Sequence, residues 1–393
     1  MNVAILFDDV DSRPLATPDE RGVLEAVEAA RSALRSLGHS VVTVPAGPYL
    51  GCAGYHAAPA ATDWTSDRPH PSPAATDWTS DRPHHPSWVR TLEEASLDVV
   101  LNLCEGLGGR SDGEVVAARA VEALGLPLTG SPSATLDLAR RKDRVNEILE
   151  ARGLAVPEWA LWKGGAGQPG SPAGAHSPWG KVEYPGGPGS SSWTSFPAIV
   201  KPAAEDGSVG ITQASVVRSQ REMEQQISAS ASFMPLLVQA FVGTREINVG
   251  IVGREVLPLS EIVFQELPPG YHPMVGYEAK WAPGSPEDRG TRPVCPAPLD
   301  AAVASRARDL ALDAWIVLGG RGYGRVDLRL TEPDTLHILE VNPNPDLAPS
   351  AGLARMAAAA GWSYAELLER ILEEALAERA VPEAAPAPAG YSP

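Results

Sequence analysis

Two apolar runs near the C-terminal end constrain this chain most, because each carries an acid where a core residue would cost less. The runs are Gly324-Arg325-Val326-Asp327-Leu328-Arg329 and His337-Ile338-Leu339-Glu340-Val341-Asn342, separated by the turn signal Glu332-Pro333-Asp334. They predict an antiparallel hairpin. Such a hairpin brings Asp327 close to the Glu340–Asn342 end, and Glu340 and Asn342, two apart, project from one face. Two carboxylates and an amide oxygen then converge. Hard oxygen donors of this kind suit Mg²⁺, which takes one or two carboxylates and completes its shell with phosphate oxygens. In the plainer alternative the acids simply pair with Arg325 and Arg329. A charge in a strand end as apolar as Ile338–Val341 is costly unless it is paired or metal-bound, so the spacing leaves both readings open.

The start of the chain predicts a different layer. Asn2–Phe7 is a short apolar run, about Glu20–Leu37 has a helical pattern closed by Gly38, and Ser40–Val44 reads as a second strand. This βαβ opening predicts an α/β architecture. It lacks the basic segment and cleavage site of a signal peptide. A strand at Asp98–Leu103, a helix at about Glu114–Leu124 and the segment Leu126–Ser131 complete the expected N-terminal domain.

Beyond it the pattern predicts a helix over about Leu138–Arg152, strands at Phe196–Lys201 and Ile211–Val217, and a helix at about Gln220–Ser230. Strands follow at Leu236–Phe241, Arg245–Val252 and Glu255–Ile262, then a long loop to about Pro298. Helix Leu299–Leu318, the hairpin strands Gly322–Leu330 and Leu336–Val341, and a helix at about Tyr364–Ala377 close the chain. Antiparallel pairs make this second half α+β. Three stretches interrupt the pattern: a duplicated eleven-mer, AATDWTSDRPH, starting at Ala60 and Ala74; a Gly/Pro/Ser-rich segment at Lys163–Ser195; and a Pro/Ala-rich tail after about Ala380. None can bury a core, and they are expected as mobile loops and a disordered tail.

Several partners are excluded by composition. A formal net charge of −17 over 393 residues argues against a sequence-independent grip on nucleic acid or anionic membrane. No apolar run is long enough to span a bilayer. The cysteines, Cys52, Cys104 and Cys295, are few and scattered, so neither a disulfide framework nor a zinc site is indicated and a cytoplasmic setting is expected.

Two further segments carry candidate chemistry. Phe196–Lys201 ends a strand on a lysine and runs into Glu205-Asp206-Gly207-Ser208-Val209-Gly210. Such a loop can present backbone N–H groups to phosphate with the lysine as a point charge, although surface turns look the same. Leu236–Val242 leads to Arg245-Glu246, where backbone groups could hold a purine and Glu246 its ribose. A plain strand–turn–strand fits these residues equally well.

The order of the pieces says more than any one of them. Arg141-Lys142-Asp143, Val200-Lys201-Pro202, Gly207–Gly210, Arg245-Glu246, Glu278-Ala279-Lys280, Arg325-Val326-Asp327 and Glu340-Val341-Asn342, in this sequence, resemble the ATP-grasp superfamily, and within it the D-alanine–D-alanine ligases. The resemblance covers roughly residues 2–378 apart from the two insertions. It implies an α/β ATP-grasp fold in three subdomains. These are an N-terminal α/β domain at 1–131 with an insertion at about 55–87, a central α+β lid at 132–238 with an insertion at about 163–195, and a C-terminal α+β catalytic domain at 239–380; the tail is 381–393. It implies an ADP-forming carboxylate–amine ligase working through an acyl phosphate, and a homodimer as a family-level expectation.

The same resemblance implies roles. Lys142 and Lys201 would contact the ATP phosphates, with Gly207, Ser208, Val209 and Gly210 closing over them. Gln239, Ala240 and Val242 would hold adenine and Glu246 ribose. Lys280 would reach the γ-phosphate. Asp327, Glu340 and Asn342 would hold two Mg²⁺, with Mn²⁺ as an alternative ion. Arg325 would stabilise the tetrahedral intermediate, and Ser208 and Lys280 would complete the catalytic set.

The amino-acid site departs from the family pattern. The glycine-rich segment with its glutamate is replaced by Phe7-Asp8-Asp9-Val10-Asp11-Ser12, the His-Gly pair by Glu105-Gly106, the first lid serine by Gly207, and a tyrosine by Trp281. Where the family places a glycine this chain has Asp346, and where it places a serine the chain has a residue near Ala351. These changes predict a small-molecule amino acid, peptide or carboxylate substrate other than D-alanine, with the D-alanine ligase reaction itself and a nucleotide-binding regulator without turnover as alternatives. Glu105, Arg110, Asp346 and Ser350 are the candidates for amine and carboxylate recognition, against the plainer reading that Glu105 and Arg110 pair across a loop. His272 either touches substrate or is a solvated loop residue.

Overall fold

The computed structural model describes residues 1–12, 21–47, 86–163, 182–183, 193–331 and 334–379. The duplicated eleven-mer, most of the second insertion, Glu332 and Pro333, and the tail lie outside the described residues.

The opening folds as its periodicity predicts. β1 (Asn2–Asp8), α1 (Val23–Ser36), β2 (Ser40–Ala46), α2 (Ser87–Glu94), β3 (Val99–Asn102) and α3 (Gly113–Ala123) form a parallel sheet of order β2-β1-β3 with its helices. α1 buries Ala26, Val27, Ala30 and Leu34 along one stripe. Gly38, at φ 86°, ends it in the left-handed conformation that a glycine adopts most cheaply. The segment 126–131 joins the sheet through one parallel bridge, Val100 to Leu128.

The helix expected over 138–152 is two helices, α4 (Ser133–Ala139) and α5 (Lys142–Ala151). The break at Arg140-Arg141 lets the Lys142 amide donate to the Ala203 carbonyl at 3.0 Å. Lys142 therefore opens a helix, docked on the next sheet, rather than sitting within one.

That sheet contains β4 (Trp159–Trp162), β5 (Val182–Glu183), β6 (Ala198–Pro202), β7 (Val216–Val217) and β8 (Leu236–Ala240) in the order β5-β4-β8-β6-β7, with α6 (Gln220–Ala229) against it. β7 is much shorter than the strand expected at 211–217, because a 3₁₀ turn at Gln213–Ser215 takes its first half.

The C-terminal sheet is antiparallel, in the order β12-β11-β9-β13-β14 with β10 also on β9. Its elements are β9 (Arg245–Val252), β10 (Glu255–Val256), β11 (Ser260–Val263), α7 (Tyr277–Trp281), α8 (Pro286–Gly290), β12 (Arg292–Val294), α9 (Ala301–Val317), β13 (Tyr323–Thr331) and β14 (Thr335–Asn342). The expected long loop to 298 thus contains α7, α8 and β12. One sheet face packs Ile247, Val249, Ile251, Val326, Leu328 and Leu330 against α9; the other face is left for the site. α10 (Gly352–Ala359) and α11 (Tyr364–Arg379) then share a core with α1, β1 and β3. Among the described residues no helix is long and apolar enough to cross a membrane.

Candidate active site

Alternation along β9 and β13 sets out the site like a ruler. Arg325, Asp327 and Arg329 project from one face of β13, opposite Gly250, Asn248 and Glu246 of β9 in register. Each step is two residues, or about 7 Å. All six positions except Gly250 line a cleft of about 1310 Å³.

β14 joins this face through an irregularity. Simple alternation from the buried Leu336 and Ile338 would send Glu340 and Asn342 into the core. The register instead shifts at Asp327/Leu328, so that Leu328 pairs with Ile338 but Asp327 with Glu340 and Arg325 with Asn342. The bulge re-aims the strand: Val341 enters the core while Glu340 and Asn342 line the cleft. The expected convergence of Asp327, Glu340 and Asn342 is present.

These acids also have basic partners. Arg325 forks onto Asp327 at 2.7 and 2.9 Å, and Asn248 and Asn342 each donate an amide N–H to the same carboxylate, at 2.8 and 3.0 Å. The Lys142 ammonium lies 3.0 Å from Glu340 and 3.1 Å from Asp206. Burial works against charge on Glu340, but Lys142 and Lys201 outweigh it and hold its carboxyl down at about 2. Glu340 and Asp206 in turn raise Lys142 despite its burial. Burial dominates at Lys201, bringing its ammonium down to about 8. Arg325 is raised by Asp327 against the effect of burial. Among the described residues no group of three His, Cys, Asp or Glu side chains could hold a metal; the set at the hairpin is two carboxylates and one amide.

The nucleotide-side candidates face the same cleft, except Lys142 and Gly210, which are not among its lining residues. Gly207 and Ser208 take successive positive φ values of 62° and 63°, which turns backbone N–H groups to one side. The loop is tied to the 270–281 segment: Trp281 Nε1 donates to the Gly207 carbonyl and Ser208 Oγ to the Val275 carbonyl, both at 2.9 Å. Gly210, at φ 74°, sits where a Cβ would meet Pro202 Cγ at 2.9 Å. Val209, Lys280, Ala240 and Val242 also line the cleft, and the buried Gln239 Nε2 there has no hydrogen-bond partner. Glu246 faces Arg329 at 3.2 Å. Burial raises Glu246 and lowers Arg329, so the pair is held at a desolvation cost that a polar ligand would share.

The substrate candidates lie at the other end. Glu105, Arg110, Asp346 and Ser350 all line the cleft. Arg110 forks onto Asp112 at 2.9 and 2.6 Å, and Asp346 accepts from the Ala348 amide at 2.7 Å, turned toward its own loop. His272 lines a separate small pocket and meets Phe241 edge-on at 5.9 Å. It is neither on the main cleft nor simply solvated. Residues to which the sequence gave no site role also line the cleft: Asn248, Arg140, Glu114, Arg355, and Arg329, which pairs with Glu246 rather than with the hairpin acids. Extending the alternation by one step would have found Asn248 and Arg329. Burial, then Asp206, push the Glu114 carboxyl up to about 8.

The fold matches that of solved structures. D-alanine–D-alanine ligase from Bacillus anthracis complexed with ATP superposes with a TM-score of 0.64 at 16% identity, over 97% of this chain and 99% of that one. A second structure of the same enzyme gives 0.66 at 17% identity, with the same coverage. The fold is therefore ATP-grasp. In sequence, a family model described as the D-ala D-ala ligase C-terminus matches residues 189–373. The D-alanine–D-alanine ligase of Synechococcus sp. (strain JA-3-3Ab) is 33% identical over 301 residues, 76% of this chain and 83% of that protein. That of Gluconobacter oxydans (strain 621H) is 30% identical over 380 residues, 96% and 100% respectively. The chain belongs to the D-alanine–D-alanine ligase family, and is an ATP-dependent, ADP-forming ligase that makes a C–N bond between a carboxylate and an amine.

Proposed function

We propose that this chain joins two molecules of D-alanine. The relatives reported above carry that activity in their names, whereas the expectation of a different substrate rests only on departures in the amino-acid end of the cleft. The observation that supports the ligase reading best is the bulged hairpin, which brings Asp327, Glu340 and Asn342 to the cleft, with Arg325 on Asp327 and Lys142 on Glu340.

In this reading Lys142, Lys201 and Lys280 bind the triphosphate under the Gly207–Gly210 loop, Gln239, Ala240 and Val242 hold adenine, and Glu246 holds ribose. The hard oxygen donors of Asp327, Glu340 and Asn342 fit two Mg²⁺, with Mn²⁺ as an alternative. When bound, these ions would supply charge neutralisation between two anionic reactants. The substrate carboxylate attacks the γ-phosphorus, the bond to the bridging oxygen breaks, and ADP leaves. The amine of the second amino acid then attacks the acyl carbonyl, Arg325 faces the oxyanion, and phosphate is expelled as the amine loses its proton. The pinned loop over Ser208 keeps water from the acyl phosphate. Glu105, Arg110, Asp346 and Ser350 surround the amino acids. The division at 1–131, 132–238 and 239–380, the cytoplasmic setting and the homodimer are part of the same proposal.

One observation favours a second reading, ligation of another amino acid. Asp8, Glu105 and Asp346 all line the amino-acid end of the cleft, more carboxylates than one α-ammonium needs even with Glu114 held protonated at neutral pH by burial. ADP release on a panel of D- and L-amino acids, dipeptides and amines, with products identified by mass, separates the two. D-alanyl-D-alanine from D-alanine alone supports the first; turnover only with another amino acid refutes it.

A further inference from the structure

Asp206 is an acid of the cleft that the acyl-phosphate chemistry does not use, and it stands between two cations. It lies on the loop from β6 to Gly207 and Ser208 and lines the cleft, as does Arg140. Its Oδ1 accepts from the Lys142 ammonium at 3.1 Å, and its Oδ2 lies 3.8 Å from Nη1 of Arg140. The second distance makes an ion pair but is too long for a hydrogen bond. Arg140 Nη1 is buried without any hydrogen-bond partner. The rest of that guanidinium is pinned, since Nη2 donates to Ser111 Oγ and to the Ala204 carbonyl, both at 3.1 Å. Asp206 thus bonds one cation and leaves the other an acceptor short.

Exposure decides which partner can move. The Lys142 and Arg140 side chains are 7% and 11% exposed, whereas that of Asp206 is 39% exposed. Lys142 opens α5 with its amide on the Ala203 carbonyl, so both cations are fixed points and Asp206, on a loop, rotates between them. The Lys142 ammonium has three acceptors: Glu340 at 3.0 Å, Asp206, and the Glu205 carbonyl at 2.5 Å. A phosphate that reaches it must displace one of them, and Asp206 is the more exposed of the two carboxylates, 39% against 28%. Left in place, Asp206 would face the phosphates as a like charge. Burial, then Asp206, already push up the Glu114 carboxyl on the same cleft. Rotation toward Arg140 relieves that repulsion and gives Nη1 its missing acceptor.

We propose that Asp206 is an internal competitor for the phosphate site: its carboxylate holds Lys142 until nucleotide binds, then passes to Arg140 Nη1. Asp206 and Arg140 are then positioning residues for nucleotide entry and for ADP release, when Asp206 recaptures Lys142. The inference rests on the reading that Lys142 binds the triphosphate. A contact that must break on binding weakens binding, so deleting it tightens the complex.

The test is calorimetric titration of the full chain with magnesium ATP and magnesium ADP, without amino acid. Asp206→Asn should tighten both nucleotides about 3- to 10-fold, between the values of an exposed and a buried charge-assisted contact. Arg140→Met should weaken both by a similar factor, because Asp206 then has no second partner. In the Asp206→Asn background the same Arg140→Met should change affinity by less than about twofold. A purely structural arginine would not show that dependence on background. Arg140→Lys, which keeps the charge, should recover part of the affinity and serves where Arg140→Met does not fold. Affinity unchanged or weakened in Asp206→Asn overturns the inference. So does an Arg140→Met loss of equal size in both backgrounds, which would put the guanidinium on the phosphates themselves. Lys142→Met separates the two readings: if it folds by circular dichroism and binds nucleotide as tightly as wild type, the assignment of Lys142 to the triphosphate falls as well.

Discussion

Lys142 and Glu340 offer a perturbation whose size can be worked out from the structure. Replacing Lys142 by Met removes an ammonium 3.0 Å from the Glu340 carboxylate and leaves that carboxylate buried with only the more weakly acting Lys201 and Lys280. The net pull of Lys142, Lys201 and Lys280 against burial, from an ordinary glutamate value of 4.5 to about 2, at ~1.4 kcal/mol per tenfold, corresponds to about 3 kcal/mol, of which Lys142 supplies the largest share. Breaking a buried pair by deleting one partner costs about 3–5 kcal/mol by general experience, so the two figures agree. The carboxyl is depressed in the folded state, so its contribution is fully present above the unfolded value and is lost as pH falls through the folded value. In Lys142→Met the folded value moves up, because burial is no longer outweighed. The variant's deficit should therefore be about 3 kcal/mol at pH 7.5 and smaller at pH 5, where Glu340 can take a proton. Urea denaturation of wild type, Lys142→Met, Glu340→Gln and the double variant closes a thermodynamic cycle. The double variant should recover most of the loss. A deficit under about 1 kcal/mol at pH 7.5, or one that ignores pH, would refute the reasoning.

Other consequences are as direct. Asp327→Asn and Glu340→Gln should each abolish metal-dependent ADP release while far-UV circular dichroism is unchanged; full activity in both would refute the metal assignment. Burial brings Lys201 down to about 8, so the KM for ATP should rise as pH passes that value and the phosphate loses a charged partner. The unfolded chain binds the extra proton between about 8 and 10.5, the ordinary lysine value, so the same group makes stability increase with pH across that window. Gly250→Val should cost about 1–3 kcal/mol by overpacking against Leu353 and Met356, and should raise the KM for the amino acid more than that for ATP. Equal effects on both would detach α10 from the substrate end.

Much of this was legible in the sequence because it depends on local period. The hairpin strands, the βαβ opening and the lysine at the end of β6 follow from alternation, helical spacing and turn residues. What was hidden depends on tertiary context. β4 is four buried residues, Trp-Ala-Leu-Trp, and a strand buried on both faces has no period to read. α10, Gly-Leu-Ala-Arg-Met-Ala-Ala-Ala, is too small-sided to show a stripe, and with it went Arg355. The break before Lys142 is fixed by the Ala203 carbonyl on another sheet, which no local rule contains. The bulge at Asp327/Leu328 matters most, because without it alternation from Ile338 would bury Glu340. Asn248 was missed for a simpler reason: an asparagine two residues beyond Glu246 looks like an ordinary strand polar residue until its amide is seen on Asp327.

The most direct measurement is isotope transfer. D-alanine labelled with ¹⁸O in its carboxylate is turned over with ATP and magnesium, and the inorganic phosphate is analysed by mass. An acyl phosphate made in the Asp327–Glu340–Asn342 cleft requires one carboxylate ¹⁸O in phosphate for each peptide bond formed, with ADP as the nucleotide product. Phosphate free of label, or AMP in place of ADP, would contradict it.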